Sequence, residues 1–167
     1  MLGTRLRPDA HLRGVAEIPL AALLARGIRG IALDLDNTIV AWNGGRVPPA
    51  VGAWLAEARA AGIALCIVSN AHRPARVQRV AEAIGAHWVA RAGKPSRRAF
   101  REAMRRMGTK PEETAVIGDQ VFTDVWGGNR AGLHTILVDP LTARDFPMTK
   151  LSRWAERLLF ALWRRGS

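Results

Sequence analysis

Apolar residues along this chain fall into two patterns. Apolar runs, three of them opened by a single polar residue, occur at Ile31 to Leu33, Ile63 to Val68, His87 to Ala90, Thr114 to Ile117 and Thr135 to Val138. Between them, apolar positions recur at helical spacing: Val51, Trp54, Leu55 and Ala58, then Val77, Val80, Ala81 and Ile84, then Phe100, Ala103, Met104 and Met107. Runs without polar alternation are strands buried on both faces, whereas the three-and-four spacing marks helices with one buried stripe. Punctuation agrees with both. Pro48-Pro49 opens the first of these helices and Gly62 follows it, Gly85 closes the second, and Ser96 is placed to cap the third. A shorter lead-in helix is expected from Pro19 through Leu20, Leu23 and Leu24, ending at Gly27.

Strands that alternate with helices imply right-handed crossovers and a parallel sheet. The expected fold is therefore α/β: a three-layer, Rossmann-like core with a five-stranded, mainly parallel sheet. In such sheets ligands bind outside the carboxyl ends of the strands. Asp34, Ser69, Lys94 and Asp119 all stand at or just past strand ends, so four separate strand-helix junctions deliver reactive side chains to one edge.

The first of these junctions reads Asp34-Leu35-Asp36-Asn37-Thr38. Two carboxylates two residues apart on an extended segment project the same way, and a divalent cation is the simplest relief for their repulsion. They also divide the chemistry. One can attack an electrophile while the other shuttles the proton of a leaving group. Together with Asp119 and Asp124 they form an all-oxygen set beside one lysine, Lys94, which suits Mg²⁺. A magnesium ion and a lysine would neutralise a phosphoryl group that an aspartate nucleophile otherwise repels. The reaction indicated is phosphoryl transfer through an aspartyl phosphate. Ser69 and the amides around Asn70 would hold the non-bridging oxygens.

Composition narrows the setting. The chain has 167 residues, which fits one domain at about 100–200 residues per domain. Its single cysteine, Cys66, lies in an apolar run, so an internal disulfide and a metal-thiolate cluster are both excluded and a packed core position is expected. Met1 to Arg13 lacks the apolar core of a signal peptide, and no window approaches the ~18 apolar residues of a spanning helix. A cytoplasmic protein is expected. The net charge of +11, with only three lysines among 25 basic residues, favours an anionic partner without choosing between nucleic acid, acidic lipid and phosphorylated metabolites.

The set Asp34-Leu35-Asp36-Asn37-Thr38, Ser69-Asn70, Lys94-Pro95 and Gly118 through Asp124 resembles, in order and in strand position, the four motifs of the haloacid dehalogenase-like phosphatases. The resemblance implies that Asp34 is the nucleophile and Asp36 the acid and base. Ser69 and Lys94 would bind phosphate, and Asp119 with Asp34 and the Asp36 carbonyl would bind Mg²⁺. Thr38 would support the site, and Asp124 would order the metal's waters or Lys94. More narrowly, the chain from about Leu6 to Glu156, including Gly127 through Gly132, resembles the YqeG-type branch, whose relatives include phosphatidylglycerophosphate phosphatases.

Neither Asn37 to Val68 nor Ala71 to Gly93 is long enough for a lid, so residues 1–148 read as one capless domain with a helical lead-in. Residues 149–167 read as a basic amphipathic helix. Helical spacing there groups Leu151, Trp154, Ala155, Leu158, Leu159 and Leu162, with Arg153, Arg157 and Arg164 opposite. Such a helix can lie in the headgroup region of a membrane, although packing on the sheet or on another subunit is the plain alternative. The substrate expected is an anionic phospholipid, phosphatidylglycerophosphate, met at the inner membrane face without specific nucleic-acid binding. Competing readings are a phosphatase of soluble sugar or nucleotide phosphates or of polynucleotide ends, and a non-enzymatic basic binder. A phospho-acceptor receiver domain is disfavoured by Asp36. His72 and Arg73 read as surface loop residues, and Trp42 and Trp126 as candidates for the site mouth.

Overall fold

The computed structural model describes residues 6–142. Six strands, β1 (Ala10–Leu12), β2 (Gly30–Leu33), β3 (Ala64–Val68), β4 (His87–Val89), β5 (Thr114–Gly118) and β6 (His134–Val138), form one sheet in the order β1-β6-β5-β2-β3-β4. Every pairing is parallel. The helices are α1 (Leu20–Ala25), α2 (Pro49–Ala60), α3 (Pro74–Ile84), α4 (Arg97–Met107) and α5 (Trp126–Ala131), the last entered through a π-helical turn at Val121–Val125.

The five strands expected from apolar runs are present, but the sheet has a sixth. β1 pairs with β6 at the edge, Ala10 opposite Ile136 and Leu12 opposite Val138, so the lead-in begins as a strand before α1. It carries an exposed His11 between two half-buried apolar residues. With only three residues and a polar His11 at its centre, it carries no apolar run to mark it.

Period-two alternation divides the core between the layers. Ile31 and Leu33 point into a cluster with Val51, Leu55, Val77 and Val80 of α2 and α3, together with Leu23 of α1. Ala32, between them, joins Cys66, Val68 and Val116 on the opposite face, against Ala99, Phe100 and Ala103 of α4. Small side chains let that layer approach closely. At Gly128 in α5 a β-carbon would overlap Val116, and at Gly127 it would press on Phe100. Phe100 is fully buried, and burying a side chain of its size contributes about 1.5–3 kcal/mol.

Helix ends follow the sequence signals. Ser96 accepts a hydrogen bond from the Arg98 amide at 3.2 Å, and Gly85 and Gly108 end α3 and α4 in the left-handed conformation that glycine adopts without cost. Trp54 is a core residue, as its spacing implies. Its indole N–H donates to the Ile18 carbonyl at 2.8 Å.

The order of the sheet fixes where a ligand can bind. From β2 the chain builds outward through β3 and β4, then returns through α4 to β5 on the other side of β2. The direction of winding reverses at β2, and in open parallel sheets the crevice lies at the carboxyl end of that point. Asp34 is the first residue after β2. Among the described residues no domain is inserted over this edge, in line with the capless expectation. Residues 149–167, expected to form an amphipathic helix, lie outside the described residues.

Candidate active site

A cleft of about 490 Å³ opens at this carboxyl edge, with Asp34, Asp36, Ser69, Asn70 and Lys94 in its lining. Asp34 is held in the sheet's register by its own amide, which donates to the Ile117 carbonyl at 2.9 Å. Its carboxylate is buried. Oδ1 accepts from Lys94 Nζ at 2.6 Å, and Oδ2 lies 3.2 Å from Thr38 Oγ1. That hydroxyl is also 3.3 Å from Asp119 Oδ1. Having a single proton, it donates to one carboxylate at a time and so ties two of them to one point.

Lys94 is the hub. Its ammonium donates to Asp34 Oδ1 and to Asp124 Oδ1, both at 2.6 Å, and its side chain is only 2% exposed. Burial disfavours its charge, but Asp124 and Asp34 outweigh burial and raise its pKa above the ordinary lysine value. Burial pushes the Asp34 carboxyl upward, an effect that Lys94 opposes and Asp124 adds to. Removing one partner of such a buried pair costs about 3–5 kcal/mol, because the other charge is stranded.

Asn70 holds Lys94 through the main chain. Its Oδ1 accepts from the Lys94 amide at 2.8 Å, and its Nδ2 donates to the Lys94 carbonyl at 3.2 Å. The Asn70 side chain is therefore occupied in placing Lys94. Ser69 is 2% exposed, and its Oγ accepts from the Ala71 amide at 3.1 Å, which shapes the turn after β3.

Asp34, Asp119 and Asp124 each offer an oxygen, and these oxygens lie within 4.8 Å of one another. A close all-oxygen set of this kind fits a hard divalent cation. The Asp36 carboxylate is not in that group. Thr123 also lines the cleft, and its Oγ1 is a buried polar atom without a hydrogen-bond partner among the described residues.

The Asp36 side chain turns to a residue that the motifs do not contain. Arg76, on the first turn of α3, forks onto it: Nη2 donates to Oδ1 at 2.6 Å and Nη1 to Oδ2 at 3.0 Å. Arg76 Nε donates to the Gly44 carbonyl at 2.9 Å, and the Asn43 amide donates to Asp36 Oδ1 at 3.0 Å. One guanidinium thus fastens the Asp36 side chain, the 41–45 loop and α3 together. His72 and Arg73 are exposed, as surface loop residues should be, yet both also line the cleft. Trp42 lines it too. Trp126 does not, and its ring lies 5.0 Å under the Arg130 guanidinium. Cys66 is fully buried, and burial pushes its thiol up to about 12, so it is a core residue and not a nucleophile.

Comparison with known proteins agrees with this geometry. A family model described as haloacid dehalogenase-like hydrolase matches residues 43–132. The "Probable phosphatase YqeG" of Bacillus subtilis (strain 168) is 41% identical over 167 residues, covering 99% of this chain and 96% of that protein. The chain belongs to the haloacid dehalogenase-like hydrolases. Asp34 and Asp36 precede the stretch matched by the family model but fall within the span aligned with the Bacillus protein. The "Phosphatidylglycerophosphate phosphatase 1, chloroplastic/mitochondrial" of Arabidopsis thaliana is 25% identical over 95% of this chain, which spans 47% of that relative's length. Among solved structures, the cobalt-bound deoxy-D-mannose-octulosonate 8-phosphate phosphatase of Haemophilus influenzae shares the hydrolase fold at a TM-score of 0.54 and 19% identity, over 76% of this chain and 75% of that one.

Proposed function

We propose that this hydrolase is a Mg²⁺-dependent phosphomonoester phosphatase that works through an aspartyl phosphate on Asp34, with phosphatidylglycerophosphate as its substrate. The observation that carries the reading is the buried ammonium of Lys94 bonded at 2.6 Å to both Asp34 and Asp124 inside a three-carboxylate cluster. Positive charge there offsets the repulsion between an incoming phosphoryl group and an anionic nucleophile.

Asp34, Asp119 and the Asp36 carbonyl would hold the cation, with Asp124 ordering Lys94 and the waters around it. When bound, Mg²⁺ supplies charge neutralisation at the phosphoryl oxygens. The protein's own groups carry the rest. An Asp34 oxygen bonds to phosphorus as the bond from phosphorus to the leaving oxygen breaks, and Asp36 gives that oxygen a proton. Asp36 then takes a proton from water, whose oxygen attacks phosphorus, releasing phosphate and restoring Asp34. Lys94 and the Ser69 hydroxyl hold the non-bridging oxygens, together with amides of the turn after β3.

The substrate assignment rests on the Arabidopsis relative's stated substrate, the absence of a lid over the cleft among the described residues, and the net charge of +11. No described helix is long and apolar enough to cross a membrane.

The test is hydrolysis of glycerol 3-phosphate and of micellar phosphatidylglycerophosphate by the wild type and Asp34→Asn, with EDTA and with added Mg²⁺. Both activities should need the metal and fall by at least about 10³-fold in the variant. Equal turnover by Asp34→Asn would remove Asp34 as the nucleophile, and inactivity on the lipid alone would remove the lipid.

A further inference from the structure

Lys94 and Arg76 are both cations of the cleft, but they are held differently. The Lys94 side chain is 2% exposed and locked between two buried carboxylates. Arg76 and Asp36 are each 15% exposed in the cleft wall, where a solute can compete for either partner. As it stands, the pair is closed. Asp36 Oδ1 accepts from Arg76 Nη2 and from the Asn43 amide, and Oδ2 accepts from Arg76 Nη1. A carboxyl that is to deliver a proton gives up part of this bonding, since the oxygen that carries the proton accepts less strongly from a guanidinium. Opening the fork frees the Asp36 side chain to turn towards a leaving oxygen.

An anion entering the cleft can receive the guanidinium when it opens. The fork that fits a carboxylate also fits a phosphate, with two parallel N–H···O bonds. Exposed Arg73 lines the same cleft three residues earlier, with His72 beside it, and Asp34 and Asp36 are the acidic residues of the lining. At about 490 Å³ the cleft is in the range of whole small-molecule sites, with room for more than one phosphoryl group. We infer that Arg76 is a specificity-determining residue: its fork, now on Asp36, reads a second anionic phosphate carried by the substrate. The inference rests on the phosphatase reading above and says which feature of the substrate the cleft reads: a phosphodiester or second phosphate beside the scissile monoester.

Two water-soluble esters with the same leaving alcohol group test it: glycerol 3-phosphate, and a glycerol phosphomonoester whose other end carries a glycerophosphodiester. Neither needs a membrane. For the wild type, kcat/KM should favour the diester-bearing ester by at least about tenfold. Arg76→Ala should bring the ratio to within about twofold of one, and Arg76→Lys, which keeps a charge but loses the fork, should fall between. If Arg76→Ala is misfolded by circular dichroism, the ratio in Arg76→Lys decides alone. A wild-type ratio near one, or a ratio unchanged in a folded variant, overturns the inference even though both activities still depend on Asp34. Activity that survives Asp34→Asn overturns the phosphatase reading instead.

Discussion

A β-carbon on Gly118 would overlap the Asp124 carboxylate, so the last residue of β5 has to be glycine for Asp124 to reach Lys94. Asp124 has no slack elsewhere, because its Oδ2 also accepts from the Gln120 amide at 3.2 Å. Gly118→Ala is therefore expected to move the carboxylate, loosen Lys94 and lower kcat by about 10²-fold, the scale of a 1 Å misplacement, at an overpacking cost of about 1–3 kcal/mol. Steady-state hydrolysis of glycerol 3-phosphate, with a melting curve alongside, checks this, and a wild-type kcat would show that the carboxylate relaxes freely. The same neighbourhood shows what the sequence makes readable. Asp34, Asp36, Ser69, Lys94 and Asp119 could be picked out because each sits in a short contiguous motif at the end of an apolar run. Arg76 could not. It stands in an ordinary helix among 25 basic residues, and only the folding of α3 against the loop after β2 reveals its partner. Asn70 was legible as a site residue, but not that its side chain serves the Lys94 main chain.

Elements were readable where apolar residues run together or recur at helical spacing. The central strands expose almost nothing and appear as apolar runs, whereas β1 gains its place from side-chain ties that no local pattern announces. Asp9, just before β1, accepts at Oδ2 from the Thr135 amide at 2.7 Å and from Thr135 Oγ1 at 3.1 Å, and lies 3.3 Å from His134 Nδ1. Burial lowers the His134 pKa below its ordinary value, with Asp9 opposing and Arg26 adding to the shift. A histidine whose folded pKa lies below its unfolded one binds fewer protons when folded, so stability falls as pH drops through the ordinary histidine range and is restored above it. His134→Asn should consequently flatten the decline in melting temperature between about pH 7 and pH 5 relative to the wild type. Thermal melts at several pH values read this directly. Parallel slopes for the two proteins would mean that His134 is stabilised as well charged as neutral.

Taken whole, the molecule joins an open catalytic edge to a strongly basic chain. The described part ends beside the site: the Leu141 amide donates to the Asn37 carbonyl at 2.9 Å, and Thr142 Oγ1 donates to Asn37 Oδ1 at 2.6 Å. The sequence from Lys150 to Arg165 pairs an apolar stripe containing Trp154 with Arg153, Arg157 and Arg164, although Phe160 interrupts its basic side. Read as a helix, such a segment fits an anionic membrane surface, each cation adding about 1 kcal/mol. We therefore propose that it delivers the cleft to lipid and takes no part in the chemistry. Truncation after Thr149 should reduce sedimentation with vesicles containing phosphatidylglycerol and turnover of micellar phosphatidylglycerophosphate, each by at least about tenfold, while kcat on glycerol 3-phosphate stays within about twofold. Raising the salt should weaken vesicle binding of the full chain, because the attraction is screened over about 10 Å at 0.1 M. Vesicle binding that survives truncation would place the lipid contact on the described domain, where exposed Arg73, Arg91, Arg97 and Arg98 follow the strand ends. Loss of activity on glycerol 3-phosphate as well would instead make the tail part of the catalytic fold.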